Sequence, residues 1–315
     1  MASYGFEGLG RDDIIQTAKD IRAEVQAEEG PEAVAALTLR DVRQRAIRRE
    51  MEKVIQARKI QACADDWDTS VEDLAEVVGN SAKRWAKSAV SEPMVQAVYN
   101  TWEMERHHAS ERHLYPEVLE VLKQIRQEHP QAIIGAVTDG LANPQFMTFT
   151  LAPLFDFSCS WEDDQAKRKK FFMELDKTGG DTAELTWIYD EARYMYSQLK
   201  QAKVGMAPPT EVLQFPETYD DRVWIHVGDD LALDVGGSAA CGAKTILAEL
   251  DEQQYGQTAR FRFDKNKPQP SWSSTSKEEM DMRFKMREAA KDKVDMKVMF
   301  LSRLPEAIND ILAAQ

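Results

Sequence analysis

The chain has 315 residues, 43% of them hydrophobic and 30% charged, which is enough to bury a sizeable core in one large domain or a domain plus a cap. Its formal net charge of −14 argues against sequence-independent binding of nucleic acid. A phosphate-bearing ligand stays compatible with that charge, because one lysine or a metal ion can reverse the field inside a pocket.

Cys63, Cys159 and Cys241 have neither a close pair nor metal-ligand spacing, so an intracellular protein with reduced thiols is expected, cytoplasmic or organellar. No run of about 18 apolar residues is present to cross a bilayer. The first residues, Met1 to Phe6, carry neither a basic region nor an apolar stretch, so they do not read as a signal peptide. A targeting segment upstream of Met1 is still compatible with the sequence.

From about Asp12 to Ser110 the pattern is helical throughout. Ile14, Ile15, Ala18, Ile21 and Val25 fall near helical spacing, and Thr38-Leu39-Arg40-Asp41 opens a second helix through Met51, Val54 and Ile55. Ser70-Val71-Glu72-Asp73 resembles a capping box ahead of Leu74, Val77 and Val78. A fourth helix covers Met94 to about His107. His107, His108 and His113 cluster near its end. Neighbours in a helix point different ways, so hinge or surface roles suit them better than metal binding.

The texture changes after Pro116. A helix to Glu128 precedes Ala132 to Val137, a short apolar run of the kind buried on both faces of a parallel sheet. Further strands are expected at Phe155–Ser160, Arg222–Val227 and Lys244–Leu247, with a helix across Ser238 to Cys241 and a last strand and helix from Val298 onward. Strands alternating with helices imply an α/β fold with a doubly wound parallel sheet. Residues 251–276 read as a polar loop, followed by a charged helix over about 277–291 whose Met282, Phe284 and Met286 suit packing. The expected division is an all-helical block, 1–112, and an α/β core, 113–315, with an insertion at about 251–292.

The residues with the strongest chemical signal are Gly228-Asp229-Asp230-Leu231-Ala232-Leu233-Asp234. An apolar strand ends at a glycine, and carboxylates follow it at the first, second and sixth positions. Ligands of doubly wound sheets bind beyond the carboxyl ends of strands, and clustered carboxylates there suit Mg²⁺. On that reading Asp229 is the first metal ligand, and Asp230 or Asp234 orients the shell. The competing reading is that these acids are turn and helix-cap residues at a strand end.

This segment resembles the acidic metal motif of the haloacid dehalogenase superfamily. Thr138, ending the strand at Val137, matches that superfamily's second motif, a Ser or Thr that hydrogen-bonds the transferring phosphoryl group. Ala132 to Pro144 and Leu151 to Phe157 are most similar to plant and algal members, which commonly have Asn where this chain has Asp139. The helical block then stands where the superfamily's helical cap belongs. A third motif, a lysine, maps onto Ser160-Trp161-Glu162-Asp163-Asp164-Gln165-Ala166-Lys167-Arg168-Lys169, with Lys169 the first choice and Lys167 the second, or with both as surface lysines.

The resemblance implies a Mg²⁺-dependent hydrolase acting on a small phosphorylated substrate. It also implies an Asp-x-Asp nucleophile motif on a central strand ahead of the cap, and no such strand fits between Met1 and the helical block. Asp66-Trp67-Asp68 matches only superficially, because it follows a poor strand and precedes a better helix cap. The expected protein is therefore a hydrolase homologue inactive as written, or a non-catalytic subunit that binds a protein partner on the same fold. In related folds the missing strand lies between those ending at Thr138 and Asp229, so its absence leaves a gap of roughly 9.6 Å. Either an upstream segment or another part of the chain fills it, or the two strands close up.

Overall fold

A computed structural model describes residues 6, 10–30, 33–34, 37–162, 168, 171, 183–203, 223–256 and 277–314, with the backbone alone at 11, 183–185, 201–203 and 277–280. The chain divides into two compact units, residues 1–106 and 107–315. Among the described residues no helix is long and apolar enough to cross a membrane.

The first unit is built from helices α1 (Arg11–Glu28), α2 (Leu39–Trp67), α3 (Val71–Ala89) and the first part of α4 (Glu92–Arg112). Thr38 begins α2 with a reciprocal cap: its hydroxyl accepts from the Asp41 N–H at 3.0 Å, and its own N–H donates to the Asp41 carboxylate at 3.2 Å. Ser70 caps α3, its Oγ accepting from the Asp73 N–H at 3.1 Å. Ile47, Met51, Val90, Val95, Val98 and Tyr99 close the core of this unit together with Phe6. The second helix runs well past Ile55, since residues 56–67 contain no glycine or proline and Ile60 and Ala64 give it a buried face. It stops at Asp68, whose φ of 49° is left-handed. Asp66 and Asp68 are exposed at that helix end, which assigns the Asp-x-Asp look-alike to a helix terminus and the loop after it.

The second unit is mixed α/β, and its strands are all parallel. β1 (Gly135–Thr138) pairs with β2 (Phe157–Ser160), from Gly135 opposite Phe157 to Thr138 opposite Ser160. β3 (Ile225–Gly228), β4 (Lys244–Ala248) and β5 (Met296–Val298) form a separate sheet in that order. The described strands thus make two small parallel sheets and not the single continuous sheet expected from the alternation. Nor do the strands ending at Thr138 and Gly228 close up: among the described residues β1 pairs only with β2, and β3 only with β4. Their burial follows from this. Gly135 and Val227 are exposed, whereas an inner strand of a continuous sheet has both faces and both edges covered.

Local chemistry fixes the first sheet. Gly135 leaves the space that the Phe157 ring fills, since a Cβ there would lie 2.1 Å from the ring. Arg126, on helix α5 (Val118–Glu128), donates to the carbonyls of Ala132 and Leu154 and to the Asp156 carboxylate at 2.6–2.9 Å. Asp156 in turn accepts from the Ile134 N–H at 2.8 Å. One guanidinium thereby ties together the segments leading into β1 and β2. His107, expected at a hinge or surface, is instead buried: its Nδ1 accepts from the Asn143 N–H at 3.0 Å, and its ring lies 5.0 Å from that of Phe146. It anchors the loop after β1.

Helix α6 (Ala183–Lys203) falls in a stretch for which the sequence reading makes no prediction, and it packs against β1, β2 and the helix after β3. Trp187, Ile188, Tyr189 and Ala192 bury themselves with Phe157 and Cys159, and Val137 and Trp224 join the same cluster. Val223 and Ile225 belong to the other cluster, with Val121 of α5 and Leu304, Ala307 and Ile311 of helix α9 (Leu304–Ala313). Alternate residues around β3 therefore serve two cores, as the period of two in a strand requires. The charged helix expected near 277 is present as α8 (Lys277–Ala290), and a short α7 (Glu252–Tyr255) precedes it. Beyond residue 256 the expected polar loop lies outside the described residues.

Candidate functional site

Thr138 ends β1 and Gly228 ends β3, so the loops that follow both strands leave from the same kind of strand end, the carboxyl end where open α/β sheets bind ligands. A cavity of about 220 Å³ lies among them. Val137, Thr138 and Asp139 line it from the first sheet, and Asp229, Asp230, Leu233 and Asp234 from the second. Trp161, Ile188, Tyr189 and Arg283 complete the wall. Thr138 and all three aspartates singled out in the sequence are thus brought to one place.

The loop after β1 is held by short-range bonds. Thr138 Oγ1 accepts from the Gly140 N–H at 3.1 Å, and the Ser160 hydroxyl donates to the Gly140 carbonyl at 2.8 Å. A hydroxyl so fixed keeps its own hydrogen for a ligand.

After β3 the chain enters a seven-residue π-helix, Leu231–Gly237, in which the Val235 N–H reaches back five residues to the Asp230 carbonyl at 3.1 Å. Asp230 caps it: Oδ1 accepts from the N–H groups of Ala232 at 2.7 Å and Leu233 at 3.0 Å. Asp234 folds back so that Oδ2 accepts from the Asp230 N–H at 2.9 Å, while Oδ1 lies 3.6 Å from His226 Nε2. Asp230 and Asp234 therefore each commit an oxygen to the loop, as turn and cap acids do. Among the described residues no three His, Cys, Asp or Glu side chains converge as a ready-made metal cage.

Asp229 is different. The residue keeps contact with solvent, yet its carboxyl is crowded by protein and by other carboxyls. Loss of water raises its pKa first, repulsion from Asp234 next, and Asp230 and Asp139 add to the rise; its own backbone N–H offsets part of it. The result is a pKa of about 6. Because the folded value is raised, the contribution of Asp229 to stability is full below the ordinary carboxylate value and is lost as pH rises through about 6. Asp229→Asn should therefore be more stable than the parent at pH 7.5, by about 1 kcal/mol after solvent screening, with the two converging near pH 4. Any cation held by Asp229 would compete with that proton, so its affinity would fall about tenfold between pH 7.5 and 5. Unfolding midpoints and calorimetric titrations across this range check both; a pH-independent difference would contradict the first.

Tyr189 forms the floor beside the aspartates. Its hydroxyl donates to the Leu233 carbonyl at 2.8 Å, its ring meets that of His226 edge-on at 5.2 Å, and burial holds its pKa well above the usual tyrosine range. Gly237 makes room for the ring, since a Cβ there would lie 2.6 Å from Tyr189 Cε2. On the opposite flank Gly236 admits α8, a Cβ at that position lying 3.2 Å from that of Ala290. The paired glycines allow α6 and α8 to approach the π-helix from two directions.

Lys169 and Lys167 lie outside the described residues. Arg168, between them, is ion-paired with Glu191, whose side chain is 1% exposed, so this cation serves the core beside Cys159. Burial, with the charge of Glu191, pushes the Cys159 thiol far above its usual range. Among the described residues a cation that does line the cavity is Arg283, which the sequence presents only as part of a charged packing helix. One signal was available: it sits between Met282 and Phe284, apolar neighbours that turn a helix face inward. Arg283 is in fact 9% exposed. Trp161 and Tyr189 carried no comparable signal. Compared with protein-family models, curated proteins and solved structures, the chain matches none.

Proposed function

We propose that the chain is a haloacid dehalogenase-like hydrolase homologue that binds a divalent cation of the Mg²⁺ type together with a phosphoryl-bearing anion, and does not turn that anion over. The observation that carries this reading is the cavity itself, which gathers the Thr138 hydroxyl and the Asp229, Asp230 and Asp234 carboxylates at the carboxyl ends of two parallel strands. The finer fold reading rests on the same fact. Both sheets are parallel and both end at the cavity, as the halves of one doubly wound sheet interrupted between β1 and β3 would.

A cation fits this donor set. Among the described residues that line the cavity, four aspartates stand against one arginine, a formal excess of negative charge. Mg²⁺ is commonly held by one or two carboxylates and keeps waters for a phosphate to replace, so it does not need a three-carboxylate cage. Asp229 and the oxygen of Asp234 not bonded to the Asp230 N–H would hold it, while Asp230 keeps the π-helix capped. Bound there, the ion would supply the positive charge that lets an anion approach. Thr138 would donate to one of the anion's oxygens.

Turnover needs a nucleophile, and among the described residues the carboxylates of the cavity are Asp139 after β1, Asp229 and the cap Asp230 after β3, and Asp234 within the π-helix, each read here as a binding or structural acid. Among the described residues no strand between β1 and β3 offers another. Purified chain with Mg²⁺ and p-nitrophenyl phosphate is expected to give no hydrolysis above background, while Mg²⁺ with inorganic phosphate raises the unfolding midpoint. At a hundredfold excess over the dissociation constant that stabilisation is about 2.7 kcal/mol. Brisk Mg²⁺-dependent turnover, abolished in Asp229→Ala, would sink the reading. The three free thiols support a reducing, intracellular compartment for this protein.

A further inference from the structure

Helix α3 (Val71–Ala89) buries Leu74, Ala82 and Ala86 on one face. The opposite face carries Asp73, Glu76, Asn80, Arg84 and Lys87, three or four residues apart and all exposed. Along this stripe the sign of the charge changes once: two acids stand in its first half and two bases in its second, with the uncharged Asn80 and Ser81 between them. Val77 belongs to the same stripe and is 77% exposed, and Trp85 flanks it at 51%, with Lys59 Nζ 5.6 Å from its ring. Either apolar residue alone would be ordinary on a surface; beside an ordered row of charges the two form a patch.

Helix polarity does not account for that order. Acids favour the first turn of a helix and bases the last, and the effect fades beyond those turns. Asp73 and Lys87 stand in them, whereas Glu76 and Arg84 lie further in, as does Lys83. The bonds that Asp73 and Arg84 make are local, to the hydroxyls of Ser70 at 2.7 Å and Ser81 at 3.3 Å, so they do not dictate the order either.

A stripe that is acidic at one end and basic at the other complements itself turned end for end. A two-fold axis near Asn80 sets Asp73 and Glu76 of one copy opposite Lys87 and Arg84 of the other, and symmetry repeats both pairs. The same axis keeps the flanks of the two helices on one side, so Val77 of each copy comes beside Trp85 of the other. A parallel arrangement would set like charges against each other. A partner of one sign would match half of the stripe and be repelled by the rest.

We propose that α3 is a self-association surface through which two copies of this chain pair antiparallel. The charged stripe is only about 21 Å long. Exposed ion pairs contribute little each, and one helix pair buries less than the roughly 1,200 Å² of stable complexes, so the dimer is weak, with a dissociation constant on the order of micromolar. The charges set register and orientation more than strength. All of these residues belong to the first unit, so the pairing stands or falls independently of the function proposed for the cavity.

Sedimentation equilibrium of the full chain over about 1–300 µM, a range that brackets such a constant, tests this. The parent chain should pass from monomer toward dimer across it. Glu76→Lys or Arg84→Glu, each alone, turns two symmetric attractions into repulsions and should weaken dimerisation by about tenfold or more. The two changes together restore the attraction with its sign reversed, so the double variant should dimerise nearly as the parent does. Both positions are exposed, and circular dichroism checks that the helices of all three variants are retained. A parent chain monomeric throughout overturns the proposal and leaves the stripe to a different partner. Dimerisation that neither single change weakens puts the interface elsewhere and overturns it too. A double variant that dimerises no better than the single ones overturns the antiparallel pairing.

Discussion

Trp187→Ala is expected to cost about 3–5 kcal/mol of stability, the range for emptying the site of a buried aromatic side chain. Trp187 is 2% exposed, it lies with its ring 5.1 Å from that of Trp161, and its cluster holds residues from both strands of the first sheet together with Trp224, just before β3. Its indole N–H has no partner among the described residues, so the loss is one of packing and not of a hydrogen bond. Trp187→Phe should therefore recover most of the stability, because it returns most of the ring's contacts and removes a buried donor. Marginal stability makes the alanine change severe: a unit of this size should lose roughly 10 °C or more in its midpoint. Ligand binding should suffer with it, since Trp161, Ile188 and Tyr189 line the cavity and α6 packs on both sides of it. Thermal unfolding of the two variants beside the parent checks this. An alanine variant within about 1 kcal/mol of the parent would show that α6 does not hold the second unit together.

Gly228→Ala is expected to damage the site more selectively. A Cβ at this position would lie 2.2 Å from Asp234 Cγ and 2.4 Å from its Cβ. The obstacle is the root of a side chain and not its flexible tip, so rotation alone does not relieve it. Asp234 must move, and with it goes the 2.9 Å bond from the Asp230 N–H that shapes the turn between β3 and the π-helix. Overpacking of this kind costs about 1–3 kcal/mol, and the broken bond at a partly buried loop adds about 1 kcal/mol or more. If the site holds Mg²⁺ as proposed, that binding should fall by at least tenfold, because Asp234 stands beside Asp229 and its displacement alters the carboxylate pair. Asp234→Gly in the same background separates the two effects: it removes the clash, Cβ included, so Gly228→Ala with Asp234→Gly should be nearer in stability to Asp234→Gly alone than additivity predicts. Strict additivity would show that the glycine is needed for some other reason.

Much of the second unit was legible before any coordinates. The apolar runs ending at Thr138 and Gly228 carry their own boundaries, because a short β-rich segment followed by a glycine or a small polar residue has few other conformations open to it. The helical block was equally plain from Thr38 and Ser70, whose hydroxyls cap the helices that follow at the positions their spacing implies. The look-alike at Asp66 was separable from a nucleophile motif on the same grounds. Other features were not legible. The length of α2 depended on the buried face offered by Ile60 and Ala64, which local pattern alone underweights. His107 read as a surface or hinge residue because nothing near it in sequence reveals that the Asn143 N–H, 36 residues away, needs an acceptor.

The site divides in the same way. Within Gly228–Asp234 the sequence fixes a local chemistry, since a cap acid two residues before its target N–H groups and an acid four residues further on are matters of backbone spacing. By itself it therefore determined which carboxylates stand at the end of β3 and that Thr138 stands at the end of β1. The sequence alone could not say that these ends meet in one cavity, that the strands belong to two sheets, or that Arg283, 54 positions after Asp229, comes to line the same space. Those facts come from packing: α6 lies on the first sheet and on the π-helix after β3, and two glycines let α6 and α8 reach that π-helix. Contacts between distant segments depend on which surfaces fit one another in space, and the order of residues along the chain does not encode that as a local pattern.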